Sequence, residues 1–154
     1  MVLLVTTGAL ALTGCTATEV HATPRSPEPS ATSVPVAQRF AILDRAFSER
    51  DALPDGVTET DDVVLNSQRY TGEHDGTRYW VAAQSNGGAC LIAWNPSADS
   101  AENYSVCGGS PTPAASVVVS MLDEHEHTTS LASDGYASTG AEPLHEVVPN
   151  VWTR

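Results

Sequence analysis

Apolar residues recur along the chain in two rhythms. Between residues 37 and 51, Phe40, Leu43, Ala46 and Phe47 fall at helical spacing, with Arg39, Asp44, Arg45 and Glu49 between them. The pattern predicts a helix over residues 37–51, stopped by Leu53-Pro54-Asp55-Gly56. A second short helix is expected over residues 61–69, with Val64, Leu65 and Tyr70 turned inward, although its β-branched pair is a poor helix former. His74-Asp75-Gly76 is the next turn signal. Beyond it come residues 77–84 (TRYWVAAQ) and 89–94 (ACLIAW), separated by Ser85-Asn86-Gly87-Gly88. Asn-Gly between two such runs is the strongest short-range signal for a β-hairpin. Further strands are expected at residues 104–107, 116–122, 128–132, 144–148 and 151–153, with Asp134-Gly135 as a turn. One or two helices followed by strands give an α+β class with a mainly antiparallel sheet.

The first 36 residues read differently. Residues 1–14 (MVLLVTTGALALTG) form an uncharged apolar run, shorter than the roughly 20 residues a membrane-spanning helix needs. Such a run at an N-terminus fits an export signal, although no Arg or Lys precedes it. Its end, Leu12-Thr13-Gly14-Cys15, resembles the lipobox of bacterial lipoproteins. The resemblance implies a diacylglyceryl group on the Cys15 thiol and cleavage between Gly14 and Cys15. Each buried methylene contributes about 0.8 kcal/mol and stable anchoring takes two chains, which one diacylglyceryl group supplies. A buried N-terminal helix with an ordinary core cysteine is the competing reading. From Cys15 to Val36 the composition shifts to Thr, Ala, Ser and Pro, a mixture that cannot pack a core. Extended as polyproline II, this tether would reach on the order of 65 Å. The expected organisation is therefore a leader (1–14), a lipidated tether (15–36) and one globular domain (37–154), lipid-anchored at the outer face of the cell membrane.

Composition narrows the partners. All seven basic residues are Arg, and 19 acidic side chains bring the formal charge to −12. Nucleic-acid binding draws its affinity from basic side chains, so neither nucleic acid nor a polybasic membrane contact is expected; acidity also keeps a surface soluble. The membrane is met through the lipid alone, and one core of this size is expected to be a monomer without a cofactor. With Cys15 lipidated, Cys90 and Cys107 remain as an even pair, which outside the cytoplasm favours a disulfide. A reactive thiol would need a basic neighbourhood, which neither segment offers.

A second resemblance runs through the folded part. The order Phe40-Ala-Ile-Leu-Asp-Arg, Asp51-Ala-Leu-Pro54, Ser67-Gln-Arg-Tyr70, Tyr79-Trp-Val, Gly88-Ala-Cys90-Leu-Ile, Cys107-Gly108 and Val148-Pro-Asn-Val151 is similar to small exported proteins and lipoproteins of high-GC Gram-positive bacteria. It implies a cysteine pair framing a hairpin and a β-rich C-terminal segment, and carries no catalytic motif. Where those proteins often show Pro-Asp-Gly, this chain has Leu122-Asp-Glu-His-Glu-His127.

That cluster is also the foremost candidate for chemistry. If extended, alternation puts His125 and His127 on one face, and a third donor such as His145 would complete a zinc or copper site. A solvated acidic loop between two strands accounts for the same letters without a metal. No G-x-S-x-G, Ser-x-x-Lys or H-E-x-x-H pattern occurs. Ser110 follows Gly108-Gly109, but Pro111 and Pro113 mark a plain loop. Asp61-Asp62 could pair as acid and base, or simply cap a helix. Trp80, Trp94, Tyr79 and Tyr104 could form an aromatic platform, for instance for sugar, although alternation sends at least half of them to the core. The pattern as a whole favours a non-catalytic binding or interaction domain, with metal binding and a cell-envelope enzyme as alternatives.

Overall fold

From residue 69 onward the chain forms eight antiparallel strands. In a computed structural model of the chain, which describes residues 36–57, 62–97, 103–109, 115–123 and 125–154, these form two four-stranded sheets. The first is a meander of β1 (Arg69–His74), β2 (Thr77–Ala83), β3 (Ala89–Trp94) and β4 (Tyr104–Gly108), in that order. The second contains β5 (Val117–Leu122), β6 (Thr128–Ala132), β7 (His145–Val148) and β8 (Val151–Thr153), in the order β5-β6-β8-β7. The expected leader, Cys15 and the expected tether up to residue 35 lie outside the described residues, as do Asp61, Glu124 and Ser110.

The two inner faces share one core. Tyr79, Val81, Ala89, Leu91 and Ala93 of the first sheet pack with Leu131, Val148 and Val151 of the second, and Phe40 is buried with them. A second cluster lies on the outer face of the first sheet, where Trp80, Ala82, Cys90 and Ile92 meet Leu53, Val57, Val63, Tyr70, Trp94 and Cys107. Burial on both faces explains why β2 and β3 read as near-continuous apolar runs. Cys90 and Cys107 stand opposite each other in the β3–β4 register, 4.0 Å apart at Cα, and form the expected disulfide.

Where the sheets meet edge to edge, glycine permits the approach. A Cβ on Gly72 of β1 would lie 2.6 Å from a methyl of Val148 in β7, and one on Gly108 of β4 would lie 2.2 Å from the Val118 carbonyl oxygen in β5. Both gaps are too small for any side chain.

The N-terminal helices are not formed. Residues 37–51 fold instead into short 3-10 turns at Val36–Arg39, Ala41–Asp44 and Glu49–Asp51, interrupted by extended backbone at Phe40 and Ser48. Tertiary contacts override the helical rhythm. Phe40 enters the core fully buried, whereas Phe47 stays 42% exposed beside Arg69. The Asp51 carboxylate is fully buried and gathers its donors from around the turn. It accepts a bidentate pair from Arg45 (2.6 and 2.8 Å), the Ser48 amide and hydroxyl (2.8 and 2.7 Å) and the Tyr70 amide (2.9 Å). A continuous helix could not present Arg45 and Ser48 to one carboxylate that also receives a strand amide. The second expected helix is likewise absent. Val63 bridges to Gln84, Asn66 takes a positive φ in a turn, and Leu65 is 82% exposed rather than inward. Tyr70 belongs to β1, a mostly polar strand that periodicity did not reveal.

Candidate functional site

At one end of the two-sheet core, the inward-facing positions change from aliphatic to hydroxyl-bearing. On β2 the inward series Val81, Tyr79, Thr77 runs toward this end, and on β4 it ends at Tyr104. In the facing sheet Leu131 and Val151 give way to Thr129 and Thr153, which are directly paired, and Thr129 also pairs with Met121 of β5. Thr77, Tyr79, Tyr104, Met121, Thr129 and Thr153 line a cavity of about 250 Å³ that opens between the sheets. Register places Tyr79 and Tyr104 on the same face of the first sheet, flanking Ala93. Thr77 and Tyr79 are almost wholly buried at the base of this opening, and the Thr77 hydroxyl accepts from the Asn95 side-chain amide at 3.3 Å.

Turns and strand ends supply the rim, which consists of His74, Asp75, Asp123, His127 and Arg154. His74 Nε2 lies 3.2 Å from Asp75, His127 Nδ1 lies 3.2 Å from Asp123, and Arg154 Nη1 lies 3.3 Å from Glu142. Asp123 also organises the β5–β6 turn. Its Oδ1 accepts from the amides of His125 and His127, both at 2.8 Å, while Glu126 takes the left-handed backbone that closes the turn. What burial Asp123 has opposes ionisation, but those amides and the His127 ring outweigh it and hold the carboxyl below its ordinary range.

The residues singled out in the sequence separate accordingly. His125 and His127 do not extend along a strand; they belong to the turn, with ring centroids 6.1 Å apart, and only His127 reaches the cavity rim. His145 sits exposed on β7, paired with Thr153 and outside the cavity lining. Among the described residues no three His, Cys, Asp or Glu side chains come together as metal ligands. The zinc or copper triad of His125, His127 and His145 is therefore not assembled, because the turn at Asp123 replaces the extended run it needs. Asp62 is exposed beside Gln84, which donates to it at 3.4 Å. The aromatic platform is divided by the sheet itself. Trp80 and Trp94 belong to the outer cluster and Tyr79 and Tyr104 to the inner one, with Trp80 only 2% exposed.

Sequence reasoning missed His74, Thr77, Met121, Thr129, Thr153 and Arg154 as wall or rim. A signal was present: threonine occupies the inward parity at the ends of three expected strands, where a closed core would place an aliphatic residue.

Fold and cavity together define a disulfide-linked, two-sheet antiparallel β-domain with a polar opening at one end of its core. No family model, curated protein or solved structure matches this chain.

Proposed function

We propose that this chain is an exported lipoprotein whose β-domain binds a small ligand, without chemical turnover, in the opening between its sheets. The anchor rests on Leu12-Thr13-Gly14-Cys15 and on the Pro-, Ser- and Thr-rich stretch that follows. The binding role rests on one observation: a cavity of about 250 Å³ at one end of the core, where Thr129 and Thr153 take inward positions that continued aliphatic packing would have closed.

Two measurements test the proposal. Mass spectrometry of the mature protein should find Cys15 at the N-terminus carrying a diacylglyceryl group; an unmodified sulfur with the leader attached removes the anchor. Ligand-observed NMR with a library of small polar compounds should find saturable binders that compete with one another and are lost on Thr153→Trp, which fills the cavity. Binders indifferent to that substitution, or none, remove the binding site.

A further inference from the structure

Resting on that reading of the opening, we propose that its ligand is a small organic monocation, with an apolar body seated in the cavity and an ammonium group held at its mouth. The cavity makes the site, and three observations choose the class of ligand. First, size and lining. About 250 Å³ falls below the roughly 300–1,000 Å³ of pockets for drug-sized molecules, so the ligand is small. Tyr79, Tyr104 and Met121 bring two rings and a thioether chain to the wall, and the other wall residues are threonines. The interior therefore suits a short hydrocarbon body and penalises a buried charge.

Second, the mouth. Asp75, in the turn between β1 and β2, and Asp123, just past β5, bring carboxylates to the rim from both sheets. The guanidinium there, that of Arg154, lies 3.3 Å from Glu142. With the imidazoles of His74 and His127 uncharged, the mouth sets the carboxylates of Asp75, Asp123 and Glu142 against the one guanidinium of Arg154. Carboxylates only accept hydrogen bonds and an ammonium group only donates them, so the two match. An anion, by contrast, meets no unopposed cation among the described rim residues, and a neutral molecule gains nothing from the excess charge. Third, the field of the chain. A net charge of −12 attracts cations and repels anions, and carboxylates at the mouth of a cleft focus that attraction.

Saturation-transfer NMR on the full chain in detergent micelles tests this with three probes of nearly one shape: n-butylammonium, n-butanol and butyrate. The measurement is made at about pH 8, where imidazoles of ordinary pKa are neutral. n-Butylammonium should bind with a Kd on the order of millimolar, about tenfold tighter than n-butanol, and butyrate should not bind. Asp75→Asn and Asp123→Asn should each weaken n-butylammonium about threefold to fivefold and leave n-butanol unchanged. Both substitutions suit the fold. Asp75 has a positive φ, which asparagine adopts readily, and Asp123→Asn keeps an oxygen to accept from the His125 and His127 amides. Asp55→Asn, which removes the same charge outside the lining of the opening, should change little. n-Butanol or butyrate binding as tightly as n-butylammonium, and lost on Thr153→Trp, would overturn the cation class and leave the opening standing as a site. No binding by any probe would overturn both. n-Butylammonium binding that survives Thr153→Trp, that ignores Asp75→Asn and Asp123→Asn, or that falls as far on Asp55→Asn would overturn the inference.

Discussion

Asp51 shows how one side chain fixes a segment that has no helix of its own. Burial alone would push its carboxyl pKa up, but the Arg45 guanidinium, the Ser48 hydroxyl and amide and the Tyr70 amide outweigh it and hold the carboxyl well below the usual range. Folded-state depression of an acid's pKa means stabilisation that is complete above the unfolded value and is lost as pH falls toward the folded one. The contribution should therefore be intact at neutral pH and decline below about pH 4. Asp51→Ala leaves Arg45 and two backbone amides without their acceptor. It should cost about 3 kcal/mol, toward the low end for a buried pair because Arg45 is partly exposed. Urea denaturation of both proteins at pH 7 and pH 3 checks this: the difference should shrink at the lower pH, and a pH-independent difference would refute the ionic account. At the rim, the same residue type serves a turn rather than a segment. Asp123 spends both oxygens on the backbone and ring of its own loop, which explains why a His-rich cluster with the look of a metal site folds as a hairpin turn.

At the level of elements, strands were legible because their signals are local. Residues 89–94, 128–132 and 151–153 occupy the strands expected of them, since strand propensity and flanking turn residues act within a few positions. The helices failed for the opposite reason. Spacing of Phe40, Leu43, Ala46 and Phe47 satisfies a helical period, yet what decides the segment is Tyr70, Ser133 and Asp134, residues 19 to 94 positions away. β1 was hidden because Gly72 and Glu73 break the apolar alternation, and Gly72 is explained only by the β7 strand pressed against it. The cavity was half-legible: inward threonines can be read from strand parity, but that three strand ends share one opening requires the β5-β6-β8-β7 order. Two elements invite direct tests. Gly108→Ala at the β4–β5 seam meets backbone oxygen rather than a yielding side chain, so it should destabilise by about 2 kcal/mol, seen as a lower denaturation midpoint at unchanged slope. Reducing Cys90–Cys107, which closes a loop with a separation of 17 residues, should cost about 3 kcal/mol, measurable by melting the protein with and without reductant.

For the whole molecule, the decisive junction is where the N-terminal segment becomes part of the core. Phe40 is fully buried with side chains from both sheets. Its neighbours tie the same point to the second sheet: Arg39 donates to the Ser133 hydroxyl at 3.1 Å, the Asp134 amide donates to the Arg39 carbonyl at 2.9 Å, and the Ala41 amide donates to the Asp134 carboxylate at 2.6 Å. Asp134 in turn accepts from Asn150 at 2.8 Å, so the entry point, the β6–β7 turn and the β7–β8 turn form one hydrogen-bonded knot. The Thr-, Ala-, Ser- and Pro-rich composition before residue 36 offers few apolar side chains to bury, whereas removing Phe40 opens a cavity in the shared core. Truncation should therefore act as a step rather than a slope. A chain starting at residue 36 should melt within a few degrees of one starting at residue 16, because about 1 kcal/mol moves the midpoint of a domain this size by only several degrees. A chain starting at residue 42, which loses Arg39, Phe40 and Ala41, should be destabilised by at least the roughly 3–5 kcal/mol of a Phe→Ala core substitution. A gradual decline across all three chains would mean that residues before 36 contribute to the fold and that the boundary between tether and domain lies elsewhere.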